Sequence, residues 1–124
     1  MMMNFLGILI KYFTMRKKNR KSSYSDTPPC VDYNALASKM LEKASSMTYW
    51  PTDNIAEYMM RMACKEFSAY DIKSPLANDL RLACIQALAD KDGSYGYNSA
   101  KINLAAKLKT LHYKHYLKEH ALIH

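Results

Sequence analysis

The sequence lacks the patterns that mark out most small enzymes. It contains neither G-x-G-x-x-G nor a Walker pattern, so the loop Lys91-Asp-Gly-Ser-Tyr-Gly-Tyr97 is not a phosphate cradle. There is no G-x-S-x-G, no H-E-x-x-H and no carboxylate pair at a useful spacing. The chain therefore reads as a non-enzyme with no catalytic residues and no cofactor. Its three cysteines, Cys30, Cys64 and Cys84, are an odd number and form no C-x-x-C pair, so a zinc or redox motif is not expected. Free thiols suit a reducing compartment, and the expected location is cytoplasmic. Asp90 and Asp92 offer too few oxygen ligands for a calcium loop. No internal repeat is visible. The apolar run over residues 1–15 is shorter than the roughly 20 residues that span a bilayer. Its positive charge follows the apolar stretch instead of preceding it, the reverse of a secretory signal.

What is present is length enough for one domain and an uneven charge. The 124 residues carry a formal net charge of +7. Residues 11–21 hold six basic side chains (Lys11, Arg16, Lys17, Lys18, Arg20, Lys21) and no acid. Residues 22–100 are mildly acidic, and residues 101–124 carry five lysines against one glutamate. Two basic ends around an acidic middle suit nucleic acid, an acidic protein or an anionic membrane surface. Residues 1–21 are read as an apolar then polybasic segment, residues 22–30 as a linker, and residues 31–124 as the helical domain. An apolar insertion beside a polybasic patch is the two-signal arrangement for peripheral membrane binding. Met15 is a second plausible start, and a chain beginning there would carry only a basic tail. Pro28 and Pro29 keep the linker extended.

Within the domain the 3.6-residue period predicts four helices. The first runs from Asp32, its N-cap, to Met47, with Tyr33, Leu36, Ala37, Met40, Ala44 and Met47 on one face. Pro51 ends that pattern, and Trp50, the only tryptophan, is expected to plug the end of the core. The second helix is expected over 53–70, capped by Thr52, Asp53 or Asn54, with Asn54 and Glu57 at capping-box spacing. Ile55, Met59, Met62, Ala63 and Tyr70 form its inner stripe. Glu57, Arg61 and Lys65 step along the far side, and Glu66 falls near the apolar residues but within reach of water. Ser74 followed by Pro75 is a strong start for the third helix. That helix runs to about Lys91 and stops at Gly93 in the left-handed conformation. It carries two apolar stripes, Leu76, Leu80, Ala83 and Ala87 on one side and Leu82, Ile85 and Ala89 on another, and is expected at the middle of the bundle.

The last helix, 98–124, holds neither Pro nor Gly and begins at Asn98 or Ser99. Leu104, Leu108, Leu111 and Leu122 share one stripe, with His115 inside it and His112 at its edge. Lys107, Lys114 and Lys118 form a ridge alongside. Ile102, Ala106, Tyr113, Tyr116 and Leu117 lie roughly opposite the leucines. His112 with His115, and His120 with His124, have spacings at which one helix could offer two metal ligands, and Glu119 could add an oxygen. No local pattern supplies the remaining ligands, so no metal site is expected.

These readings predict an all-α fold, a small four-helix bundle or orthogonal helical array. The leading functional expectation is a non-enzymatic basic binding protein, a stoichiometric regulator or inhibitor of a macromolecular partner, with a protein ranked first. A small regulator from a phage or other mobile element fits that description. The expected partner-binding residues are Lys107, Lys114, Lys118, Tyr113, Tyr116 and Leu117. The alternative is nucleic-acid binding through Lys101, Lys107, Lys109, Lys114 and Lys118 with Arg16, Lys17, Lys18, Arg20 and Lys21, where the tyrosines stack on unpaired bases. That alternative is weakened by the absence of arginine, the usual base reader, from the last helix. A third reading attaches the protein to a membrane surface through residues 1–21, and self-association into a homo-oligomer is a fourth.

Overall fold

The computed structural model describes residues 28–121, which form four helices and, among the described residues, no strand. Helix α1 spans Tyr33–Ser45, α2 Thr52–Glu66, α3 Pro75–Asp92 and α4 Gly96–Ala121. Each helix packs on its neighbours in sequence, and α1 returns to pack on α4, so the ring of contacts closes as a four-helix bundle. The contact between α3 and α4 is the most extensive.

Local chemistry fixes most helix starts. The Asp32 carboxylate accepts from the Ala35 backbone N–H at 3.0 Å and caps α1. Ser74 accepts from Ala77 N–H at 3.1 Å, and Pro75 follows where no donor is needed. Helix α2 departs from the capping expected of it. Pro51 occupies the cap position with no side-chain hydrogen bond, and Thr52, Asp53 and Asn54 already lie inside the helix. Its far end comes four residues earlier than expected. Ser68 turns left-handed at φ 54°, Ser68 N–H donates to Lys65 C=O, and Ala69 N–H donates to Cys64 C=O. That is a Schellman ending with serine where glycine is usual. Tyr70 therefore leaves the inner stripe and is exposed. Gly93 ends α3 with extended backbone (φ −93°, ψ −168°), not in the left-handed conformation expected of it. The left-handed glycine is Gly96 at φ 78°, which opens α4 ahead of Asn98 and Ser99.

The core is one cluster drawn from all four helices. Met40, Leu41, Met59, Met60, Leu80 and Leu108 are its largest fully buried side chains. Leu104, Leu108 and Leu111 bury the inner stripe of α4 as expected, whereas Leu122 lies outside the described residues. Two expectations about the core need correction. Trp50 does not plug it: the indole sits in the α1–α2 turn, 46% exposed, beside the fully displayed Tyr49. Helix α3 is not central either. It has neighbours on two sides only, α2 and α4, so its second stripe turns outward, with Leu82 and Ala89 exposed and Ile85 half-buried.

Candidate functional site

The fold covers α4 on the sides facing α1 and α3 and leaves its far side to solvent. Ile102 is 62% exposed and Leu117 49% exposed, with Ala106 also exposed and Tyr113 and Tyr116 half-buried. Lys107, Lys114 and Lys118, expected as a ridge, are all exposed, as is Lys109; Lys101 is half-buried. Lys109 Nζ stands 5.8 Å from the centre of the Tyr113 ring, within cation–π range. The ion pairs of the described residues lie elsewhere, and none involves these lysines. Of the partner-binding residues expected from the sequence, Tyr113 and Leu117 lie on the side of Ile102 and half-buried Tyr116 flanks it, whereas Lys107, Lys114 and Lys118 run along the edge toward α3. The nucleic-acid set is brought together only in part, because Arg16, Lys17, Lys18, Arg20 and Lys21 lie outside the described residues, as does the proposed membrane segment.

The histidines separate into different environments. His112 is buried, 4% exposed, although its spacing places it only at the edge of the leucine stripe. The Tyr33 hydroxyl and His112 Nδ1 are hydrogen-bonded at 2.8 Å. The Phe67 ring stacks on the imidazole, centroids 4.0 Å apart and planes 4° from parallel. Burial, with His115 as a second cause, pushes the His112 pKa below its ordinary value. Burial, followed by the neighbouring Tyr113 and Cys30, pushes the Tyr33 phenol up. The phenol thus stays protonated and the ring neutral, and the imidazole tautomer sets which of the two donates. This group ties α1 and the end of α2 to α4 directly beneath the outer face.

His115 lines a cleft of about 170 Å³ between α3 and α4 with Ser74, Asp79, Lys114, Lys118 and Glu119. Two carboxylates set against two lysines leave that cleft close to electrically balanced, so it is not an anion pocket. The His120 ring lies 3.8 Å from that of Tyr116, and His124 lies outside the described residues. Among the described residues no group of three or more His, Cys, Asp and Glu side chains is placed to hold a metal ion. No described helix is long and apolar enough to cross a membrane.

Two features escape sequence reasoning. Arg81 of α3 donates through Nε to Glu57 at 2.9 Å, while Arg61 holds the other carboxylate oxygen at 3.0 Å. The Arg81 hydrogen bond, ahead of the other contributions, holds the Glu57 carboxyl below its ordinary pKa. The step of four from Glu57 to Arg61 is visible in the sequence, but the link to Arg81 needs the fold. The Tyr33–His112 pair, 79 residues apart, leaves no local signal at all. Comparison with known proteins finds no family model, no curated protein and no solved structure that matches the chain.

Proposed function

We propose that this protein is a non-enzymatic binding protein that docks on a macromolecular partner, one to one, through the outer face of α4, and acts as a regulator or inhibitor of what it binds. The observation that carries this reading is the exposure of Ile102 and Leu117 on a face that also presents Lys109, with Lys107, Lys114 and Lys118 along its α3 edge. Scattered exposed apolar residues are ordinary on a protein surface. Here Ile102, Leu117, Tyr113 and Lys109 share one side of one helix with a lysine ridge along its edge, the mixture of apolar anchor and charged flank that a recognition surface uses.

The test compares the full chain with an Ile102→Asp/Leu117→Asp variant as baits in nuclease-treated extract of the native host. Both side chains face solvent, so the helical circular dichroism and melting point should be unchanged. Wild type is expected to retain a species in stoichiometric amount that the variant loses. Equal recovery by both proteins would remove the basis of the reading.

Nucleic acid is the second reading, favoured by the run of lysines with no carboxylate partner among the described residues. Titration of labelled single- and double-stranded DNA and RNA at two salt concentrations decides it. Binding should weaken steeply with salt, and no binding at low salt ends this reading.

A further inference from the structure

Along the outer side of α4, Ile102, Ala106, Thr110, Tyr113 and Leu117 fall within a sector of about 80° at 100° per residue. They run about 22 Å along the helix at 1.5 Å per residue. None of these side chains is charged, and all are exposed except the half-buried Tyr113. The Thr110 hydroxyl donates to the Ala106 carbonyl at 3.0 Å, so it is engaged within the helix and adds little polarity to the strip. Ala106 and Thr110 are small, and the surface dips between Ile102 at one end and Tyr113 and Leu117 at the other.

Lysines border this strip on both sides. Lys109 lies toward α1, with Nζ 5.8 Å from the centre of the Tyr113 ring, and Lys107 lies toward α3. Both are exposed, and no ion pair of the described residues engages either. Lys114 and Lys118 differ, because they line the α3–α4 cleft with Asp79 and Glu119. The positive charge that flanks the strip without a facing carboxylate therefore belongs to Lys107 and Lys109.

An extended peptide laid on this strip would gain no main-chain hydrogen bond from a helix, and such bonds are the source of affinity in that mode. A second copy of the chain would set lysines against lysines, which disfavours self-pairing. A nucleic-acid strand would use the lysines but leave Ile102 and Leu117 without an apolar partner. An amphipathic helix uses both features. Its apolar row matches the steps of four and three residues along the strip, as two packed helices require, and carboxylates beside that row meet lysine on either edge.

We propose that the strip from Ile102 to Leu117 docks an acidic amphipathic helix of a partner protein, packed alongside α4 with its carboxylates toward Lys107 and Lys109. This rests on reading the outer face of α4 as the docking surface, and it names the chemistry of the partner. Ile102 and Leu117 anchor the two ends, and the dip at Ala106 and Thr110 admits a large apolar side chain between them.

The probe is a labelled synthetic helix of about three heptads with leucine at the a and d positions and glutamate at e and g, beside a matched helix with lysine at e and g. Fluorescence anisotropy with the full chain is expected to show the glutamate helix bound at least ~10-fold more tightly, with binding that weakens as salt rises. The uncharged change Ile102→Gln/Leu117→Gln should weaken it by ~10-fold or more. Lys107→Glu/Lys109→Glu should do the same and should strengthen binding of the lysine helix, whereas Lys114→Glu/Lys118→Glu, with the same change of net charge, should alter either by less than ~3-fold. Circular dichroism should show unchanged helical content in all three variants. Equal affinity for the two helices overturns the proposal. So does an equal loss from the two lysine variants, because the effect would then be one of net charge. If the glutamate helix is not bound but capture from extract still depends on Ile102 and Leu117, the acidic-helix assignment falls and the docking face stands. If neither depends on them, both fall.

Discussion

His112 makes the bundle acid-sensitive in a way that one pair of substitutions can isolate. The imidazole is 4% exposed, bonded through Nδ1 to the Tyr33 hydroxyl at 2.8 Å and stacked on Phe67 at 4.0 Å. Protonation puts a charge into a buried site where no carboxylate pairs with it, and it makes Nδ1 a donor to which the phenol oxygen must then accept. The folded pKa therefore lies below the ordinary 6.5, with burial the main cause and His115 the second. Below 6.5 the unfolded chain takes up the proton before the folded one does. Stability from this group is complete above about pH 6.5 and falls as the pH drops toward the lowered folded value, beneath which it contributes no further slope. The slope in that window is at most about 1.4 kcal/mol per pH unit.

His112→Phe keeps a flat ring on Phe67 and removes the titrating nitrogens. Urea unfolding of wild type and His112→Phe across this pH window isolates the contribution, since acid losses from carboxylates are common to both. At neutral pH the variant leaves the Tyr33 hydroxyl without its partner, at a cost of about 1–3 kcal/mol. Tyr33→Phe should cost a similar amount by stranding Nδ1. Replacing both partners removes the polar pair together, so the double variant should lie above the sum of the single losses by about 1 kcal/mol. For a domain of this size that difference moves the melting temperature by roughly 4–8 °C. Parallel loss of stability with acid in wild type and His112→Phe would refute the reasoning, as would an NMR titration that places His112 at or above its ordinary pKa.

Ser68→Gly should stabilise the fold by about 0.5–1 kcal/mol, measured by urea unfolding, because serine at φ 54° bears a left-handed cost that glycine does not. Arg81→Ala should cost about 0.5–1 kcal/mol, since Glu57 is half-buried and keeps Arg61. The same change should raise the Glu57 pKa toward its ordinary 4.5. Glu57 supplies its stability above about that pH and loses it as the pH falls through its lowered folded value, so Arg81→Ala should also flatten the acid limb of the stability curve. Native protein should react rapidly with a thiol reagent at Cys30 alone, because Cys64 and Cys84 are buried and burial pushes the Cys84 thiol up to about 12. Peptide mapping that finds Cys84 labelled as fast as Cys30 without unfolding would contradict the packing of α3.

The parts of the fold that the sequence makes legible are those set by neighbouring residues. Asp32 caps α1 and Ser74–Pro75 starts α3 because each signal and its structural consequence lie within one helical turn. The end of α2 is illegible for the opposite reason. Serine has no special claim on the left-handed conformation, so the apolar period runs on past Ser68 and carries Tyr70 into a stripe it does not join. Trp50 is misjudged because its size argues for burial, whereas Pro51 and the tight turn that closes on Met47 hold the indole at the rim. His112 could be placed at the edge of a stripe, but the partners that enclose it, Tyr33 and Phe67, come from α1 and from the residue just past α2.

The two-sided character of α3 and α4 follows from their positions in the ring. A helix at the corner of a four-helix bundle has two neighbours and can hide only the sector between them. Any second apolar stripe on such a helix must face outward, whatever its purpose. On α3 that stripe reduces to Leu82, with Ala89 small and Ile85 already packed on the core. On α4 it extends from Ile102 to Leu117 and carries lysines and tyrosines with it. The apolar surplus alone would therefore not separate the two helices. The charge does: α3 sets Asp79, Asp90 and Asp92 against Arg81 and Lys91, whereas α4 carries five lysines against Glu119, with Lys107 and Lys109 away from the cleft where Asp79 and Glu119 face Lys114 and Lys118. On the proposed reading of α4 as a docking helix, reversing its lysines should therefore weaken capture from extract as much as replacing Ile102 and Leu117.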